Sequence, residues 1–462
     1  MINRHSYRFL IGFWLLAASG CKEPEPFQET WLDERISGGD ATTFDASSGA
    51  YGNTIDGLSG QDEHIHSLGD RMFEASFVKG PAPIFSGLGP IYNQASCVSC
   101  HPNEGRGKAP ESGTTYESMF FKISMPGEDE HGGPLPVPGF GLQIQDRAVF
   151  GALPEAKINI SWLPKTVTLK DGEVVELRYP QYDVINPYIP LPEGYKISPR
   201  VARSNFGMGL IERIDESSIM AHADPNDGNG DGISGRPNYV YDFVNHSPKQ
   251  LGRLGWKASV PDIKGQIARA LAEDIGVTTS VFPRKVAEGQ EQMKAAYLPP
   301  TTDIHDSILN ALTFYMRTLA VPARRNVDDP EVLQGQRIFK SIGCVKCHAD
   351  VHTTKVDVRF KPLSGQIIRP YSDFLLHDMG PDLADNRTEY EASGQEWRTP
   401  PLWGVGLSKR VTGHSQLLHD GRARSFKEAI LWHGGEAQPV KQIFTQLSAG
   451  NRASLIRFLE SL

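Results

Sequence analysis

At 462 residues the chain is long enough for two or three domains, each with a core of its own. Hydrophobic residues make up 39% and charged residues 22%, an ordinary soluble composition that argues against both disorder and a membrane bundle. The formal net charge is -8 and no basic run occurs, so nucleic acid is not expected as a partner, while the acidic balance could receive a basic protein or simply serve solubility.

The N-terminus reads as an export signal. Arg4 and Arg8 give a basic start, residues 9–18 are apolar, and Ala18, Ser19 and Gly20 form a small-residue site before Cys21. The apolar stretch is too short to span a bilayer. Residues 16–21 resemble a bacterial lipobox, in which the cysteine is lipidated after cleavage, with ordinary secretion as the alternative. The expectation is a signal peptide over 1–20, a lipid-anchored polar tether over 21–40, and a periplasmic protein held at the membrane through Cys21.

Further along, residues 62–77 carry a helical pattern, and the run Cys97-Val98-Ser99-Cys100-His101 follows. From about 126 to 198 the character changes to many Pro and Gly residues with alternating strands. Residues 165–170 and 173–177 flank Asp171-Gly172, a strong hairpin signal. In residues 224–234, Asp227, Asn229 and Asp231 before Gly232 reproduce positions 1, 3, 5 and 6 of a calcium loop; position 12 would be Asn238, a monodentate oxygen at best. A weak structural calcium site and a plain Asp/Gly turn both fit.

Two amphipathic stretches, 308–319 and 452–462, echo each other as domain terminators, and Pro322 and Pro330 bracket a linker before a new helix at 331–338. Then Cys344-Val345-Lys346-Cys347-His348 repeats the earlier five-residue pattern. In such a run the thiols form thioethers with the two vinyl groups of a haem and the histidine reaches the iron. A lone C-x-x-C would fit a zinc half-site or a thioredoxin-like redox pair as well. Two copies, each with its histidine and with no further pair to complete a zinc site, point to two covalent haem c groups. The expected fold is therefore mainly α: two cytochrome c-like haem domains, 41–322 and 323–462, the first carrying a β-rich insertion over about 126–198.

The C-terminal third holds Glu396-Trp397-Arg398-Thr399-Pro400-Pro401, Leu418-His419-Asp420-Gly421-Arg422 and the stretch 428–437. These resemble the corresponding motifs of the bacterial di-haem cytochrome c peroxidase superfamily, and with residues 252–258 and 371–380 they resemble more closely its di-haem oxidoreductase subfamily, also labelled thiol oxidoreductase. The resemblance implies that the second iron takes its sixth ligand from the helix after the His-Asp-Gly motif; counting fourteen on from His419 gives His433. A bis-histidine haem of low potential would follow. His433 could equally be a favourable helix C-terminal residue, and His377 and Met379 are rival ligands.

Laid over one another, the halves match Trp256 with His419, and Ile263, Lys264 and Ile267 with Phe426, Lys427 and Ile430. His433 then falls on Ala270, which cannot ligate, so the first haem would keep an open face unless Met208 or His222 closes it. By the same resemblance Gln266 stands where a glutamine serves peroxide, Glu273 and Asp274 are candidate acids at a shorter spacing than the family's, and Trp256 is an electron relay or plain core. The implied activity is peroxide reduction at the first haem, with electrons entering through the second from a small cytochrome or copper protein. The alternative is a non-enzymatic electron carrier. Thiol oxidation is disfavoured because haem consumes the thiols.

Overall fold

Two helix crossings carry the two C-x-x-C-H segments. The helix Gly60–Glu74 starts at Ser59, whose hydroxyl accepts the Asp62 N–H, and it crosses the helix Asp306–Arg317. The contact is so close that a Cβ on Gly69 would stand 2.2 Å from the Ala311 carbonyl oxygen. The helix Pro330–Ser341, capped by Asp329 with proline in its first turn, crosses Ala449–Ser461 in the same way, and there a Cβ on Gly335 would meet the Ser454 oxygen at 2.0 Å. Four residues past each glycine stands a phenylalanine, Phe73 or Phe339. Each meets the histidine of its own motif, His101 or His348, at a ring-centroid distance of 6.2 Å.

This computed structural model describes residues 33–357 and 360–462, so the expected signal peptide, Cys21 and most of the tether lie outside the described residues. Residues 34–462 form one compact unit.

Met119–Glu128 pairs antiparallel with Lys196–Val201 and, on the other edge, with Gln143–Ile144. The hairpin around Asp171-Gly172 is longer than its sequence signal, with Lys157–Thr168 against Val174–Ile185 in unbroken register from Lys157↔Ile185 to Thr168↔Val174. Its tip leaves the first half of the chain altogether. Leu169 and Leu177 join the core of Phe339 and Phe458, and the buried Arg452 guanidinium binds Asp171 at 2.5 Å and Glu173 at 3.0 Å.

The expectation of a mainly α fold with one β insertion is corrected. Helices hold 29% of the residues and strands 20%, in many small sheets, which makes the chain mixed α/β. Short pairs lie well outside 126–198: Thr42–Thr43 with Val321–Pro322, Tyr239–Asp242 with Ser247–Leu251, and Leu376–Asp378 with Glu396–Arg398. Strands of two to five residues are too short to show an alternating pattern, and their partners can lie hundreds of residues away.

Gly335→Ala should force the Pro330–Ser341 and Ala449–Ser461 helices apart. We expect a loss of about 1–3 kcal/mol in chemical denaturation; an unchanged midpoint would mean the crossing yields freely.

Candidate functional site

The short helix Cys97–Cys100 ends at His101, whose Nδ1–H donates to the Arg203 carbonyl at 2.6 Å. A carbonyl can only accept, so the proton sits on Nδ1 and Nε2 keeps its lone pair for a metal. Burial pushes the imidazole down to about 4, so it stays neutral. Cys97, Cys100 and His101 open on a large cavity that is also walled by Trp256, Gln266, Ala270, Glu273 and Asp274. Met208 lines it too, whereas His222 packs against His352, at a centroid distance of 5.4 Å, and does not.

The acids reach this cavity through a local change of helix. Asp262 caps the helix Ile263–Ala270 by accepting the Gly265 N–H, and the chain then widens into a π turn, Leu271–Ile275. Such turns leave carbonyls without i→i−4 partners, and they recur at functional sites. Here the Asp274 carbonyl accepts from the amides of Asn93 and Gln94, the Ile275 carbonyl from Gly89, and the Glu273 carbonyl from the Gln143 and Gln145 side chains. The acid turn is thereby fastened to the loop that carries Cys97.

The two carboxylates differ in charge. Burial opposes ionisation of Glu273, but the Lys122 ammonium bonded to it and the Arg269 guanidinium outweigh burial and hold it below the usual carboxylate range. Asp274 receives one hydrogen bond from Gln143 at 2.7 Å, too little to offset burial, which raises it to about 6. The Gln266 Oε1 atom is buried without a protein partner.

At the second motif a 3₁₀ turn, Cys344–Lys346, precedes His348, whose Nδ1–H donates to the Tyr371 carbonyl at 2.9 Å. Burial, with some help from the nearby His433, lowers His348 to about 4. His433 ends the helix Phe426–Trp432 and donates from its own Nδ1 to the Ala429 carbonyl at 2.7 Å, so it presents a bare Nε2 as well. His377 does not. Its Nε2 bonds Asp373 at 2.8 Å and its Nδ1 bonds Glu436 at 2.6 Å, so neither nitrogen is left for iron. Met379 sits beside His433 in the fold, since a Cβ on Gly434 would stand 2.9 Å from the Met379 carbonyl oxygen.

These residues fit a covalent haem at each motif. Burial pushes Cys97 and Cys344 up to about 12, so without a bound group both are thiols. Each motif histidine is fixed in the metal-binding tautomer by a carbonyl behind it. The family model described as "Di-haem oxidoreductase, putative peroxidase" matches residues 31–462. The chain belongs to this family. Its two C-x-x-C pairs are consistent with the two haem c groups of a di-haem oxidoreductase. No curated protein matches the chain. Among solved structures it is similar to hydrazine synthase of Kuenenia stuttgartiensis, pressurized with 20 bar xenon, at 15% identity and a TM-score of 0.34 over 89% of this chain and 94% of that one.

Other expected residues of this di-haem oxidoreductase lie elsewhere. In the calcium-like loop Asp227 accepts from Gly232, Asn229 from Asp231 and Asp231 from Ile233, all exposed. Asn238 is buried and bonds the carbonyls of Lys257 and Glu389, so it cannot reach an ion in that loop. Asp231 instead pairs with Lys346 of the second motif at 3.0 Å. Trp256, in a turn, donates its indole N–H to the Val201 carbonyl at 3.0 Å and so holds the end of the strand Lys196–Val201 as well as walling the cavity. Lys122, which with Arg269 keeps Glu273 charged, and Gln143, which bonds Asp274, were not anticipated, because they sit on strands 151 and 131 residues upstream of the acids they bond.

Proposed function

We propose that this exported di-haem oxidoreductase reduces peroxide in the cavity of the first haem, drawing electrons through the second from a small cytochrome or copper protein. Hydrogen peroxide, two electrons and two protons would give two waters. The observation that carries the reading is a buried, protonatable carboxyl, Asp274, on the cavity into which His101 opens. A bound haem would supply the iron that takes up peroxide and delivers the electrons. Asp274 would take the proton from one peroxide oxygen and return it to the departing one, a general acid–base role suited to a group that titrates near neutral pH. Glu273 suits that task less, because Lys122 and Arg269 hold it below the usual carboxylate range and make it a poor proton acceptor; its part is to hold Lys122 and Arg269 in place. Gln266 has a free acceptor with which to orient the peroxide O–H.

The electron-carrier reading needs Met208 to close the first iron, and Met208 does line the cavity. Peroxide turnover by the matured protein separates the two readings. Because Asp274 must be ionised to accept the first proton, turnover should rise with pH through about 6. Asp274→Asn should remove that limb and slow turnover about 10²–10⁴-fold while both haems stay attached. A wild type that reduces no peroxide leaves the carrier.

His433 is proposed as the sixth ligand of the second haem, supported by its bare Nε2 and its proximity to His348. His433→Ala should turn one low-spin signal high-spin in electron paramagnetic resonance without loss of haem; unchanged signals transfer the role to Met379.

Calcium at Asp227, Asn229 and Asp231 is proposed from the calcium-loop spacing and from the turns that bring these side chains onto the loop's own amides. Chelator should then lower the thermal midpoint, and an unmoved midpoint removes the ion.

A further inference from the structure

The carbonyl that fixes His348 belongs to a residue in a costly conformation. Tyr371 has a φ of +54°, in the left-handed region that residues other than glycine rarely adopt. Such a residue persists only where its surroundings determine it several times over. On the backbone side, the Ser372 N–H donates to the Ala349 carbonyl and the Asp373 N–H to that of Cys347, which lays this segment along the second motif. On the side-chain side, the buried Tyr371 ring meets Phe339 at 6.0 Å and Phe458 at 5.7 Å, both edge to face.

The phenol end stands against Arg324, whose Nη1 lies 3.5 Å from the Tyr371 Oη. The Arg324 side chain is fully buried, and its guanidinium also lies over the Phe458 ring at 5.0 Å. It donates from Nη2 to Gln336 Oε1 at 3.1 Å and from Nε to Ser461 Oγ at 3.3 Å, both neutral groups on the two crossing helices. Among the described residues its ion pair is with Glu34. Gln336 closes the set by donating to that same carboxylate at 3.2 Å.

Glu34 reaches this place from the far end of the chain. It opens a strap, 34–43, that is bonded on both sides of the second site. The Arg35 carbonyl accepts from the Arg324 N–H at 2.9 Å, the Ser37 carbonyl from the Arg369 N–H at 2.7 Å, and Asp40 bonds Gln366 at 2.8 and 3.2 Å. Thr42–Thr43 then pairs with Val321–Pro322. The strap thus joins the linker that carries Arg324 to the segment that carries Tyr371. The Tyr371 phenol feels Arg324 and Glu34 in opposite senses.

We propose that Glu34 is a positioning residue of the second haem site: by pairing with Arg324 it keeps Tyr371 in place, and so keeps the carbonyl that orients His348. The proposal rests on the two-haem reading. When the carboxylate loses its charge, a buried guanidinium is left without its counter-ion. Two consequences then have the same sign. The bare positive charge favours ferrous iron, and a slackened Nδ1–H to carbonyl bond makes the imidazole a weaker donor to ferric iron. The potential of the second haem therefore rises.

The test uses the matured full-length holoprotein, with haem counted by pyridine haemochrome and potentials taken by spectroelectrochemical titration. Cys344→Ala, or Cys347→Ala in its place, leaves one vinyl group of the second haem conjugated, and the red-shifted absorption labels that haem's wave. In Glu34→Gln the labelled wave should move up, its ferrous-to-ferric ratio at the original midpoint rising at least about threefold, or about 28 mV for one electron. The other wave should stay. The ferric electron paramagnetic resonance signal of the second haem should shift in g value, because its imidazole donor has changed. Glu34→Asp, which keeps the charge, should restore at least part of both shifts. Gln366→Ala loosens the strap at Asp40 without touching Glu34, and should move neither wave. A labelled wave that stays or falls, or that moves equally in Gln366→Ala, would overturn the positioning role and leave the two-haem reading intact. A moved wave with an unmoved resonance signal would make Glu34 a counter-charge only, and loss of the second haem from Glu34→Gln would make the strap a folding element only; either result overturns the role. Fewer than two haems in wild type would overturn both the role and the reading.

Discussion

The bond from an imidazole Nδ1–H to a backbone carbonyl decides what each C-x-x-C-H segment can do, because it fixes both the tautomer and the direction of Nε2. The carbonyls come from far along the chain, Arg203 for His101 and Tyr371 for His348, so neither site is complete without the loop that supplies its acceptor. Phe73 or Phe339 lies beside each imidazole, and those rings are set by helix crossings tight enough to demand glycine. Crossing, phenylalanine, histidine and carbonyl form one mechanical chain, and it occurs twice.

Buried charge ties the two motif regions together. Lys257, fully buried, donates to Asp385 and to the carbonyls of Arg387 and Ser393, while Glu389 binds Arg200 and Arg387. Removing one partner from such a set typically costs about 3–5 kcal/mol, because the other is left charged and dry. The network places residues 200 and 257 against residues 385–393, next to the wall of the first cavity, where Arg387 and Glu389 also appear. The first site is therefore built partly from the second half of the chain. Val201 shows the same joining on a small scale: its N–H donates to the His419 carbonyl and its carbonyl accepts from Trp256.

What could be read in the sequence was local. The C-x-x-C-H spacing, the hairpin about Asp171-Gly172 and the helix that follows the linker ending at Pro330 each depend on residues within one or two turns of each other. The two-residue strands were invisible because they have no pattern of their own; Thr42 is in a strand only because Val321 lies beside it. The charges of Glu273 and Asp274 were hidden for a related reason. Adjacent acids look alike in a sequence, and it takes the distant Lys122, bonded to Glu273, to set it apart from an Asp274 that burial dominates. Asn238 misled in the opposite direction, since its loop register suggested a ligand while burial gave its amide to two carbonyls.

The difference between the two halves has one structural origin. Asp262 and Ser425 cap equivalent helices, each by accepting the N–H three residues on, and eight residues past each cap stand Ala270 and His433. In the second half the helix stops there: His433 turns out of helical geometry, and Gly434 and Gly435 pass so close to residues 378–380 that no side chain fits. In the first half the helix does not stop but widens, and the extra backbone per turn carries Glu273 and Asp274 to the cavity. Stopping supplies a bare nitrogen where an iron could bind it. Widening supplies a protonatable group and, with alanine at the equivalent position, no competing ligand from the helix. One structural change thus separates a site with a bare imidazole nitrogen from one with a protonatable carboxyl, and Arg106 and Arg203 line the cavity of the latter.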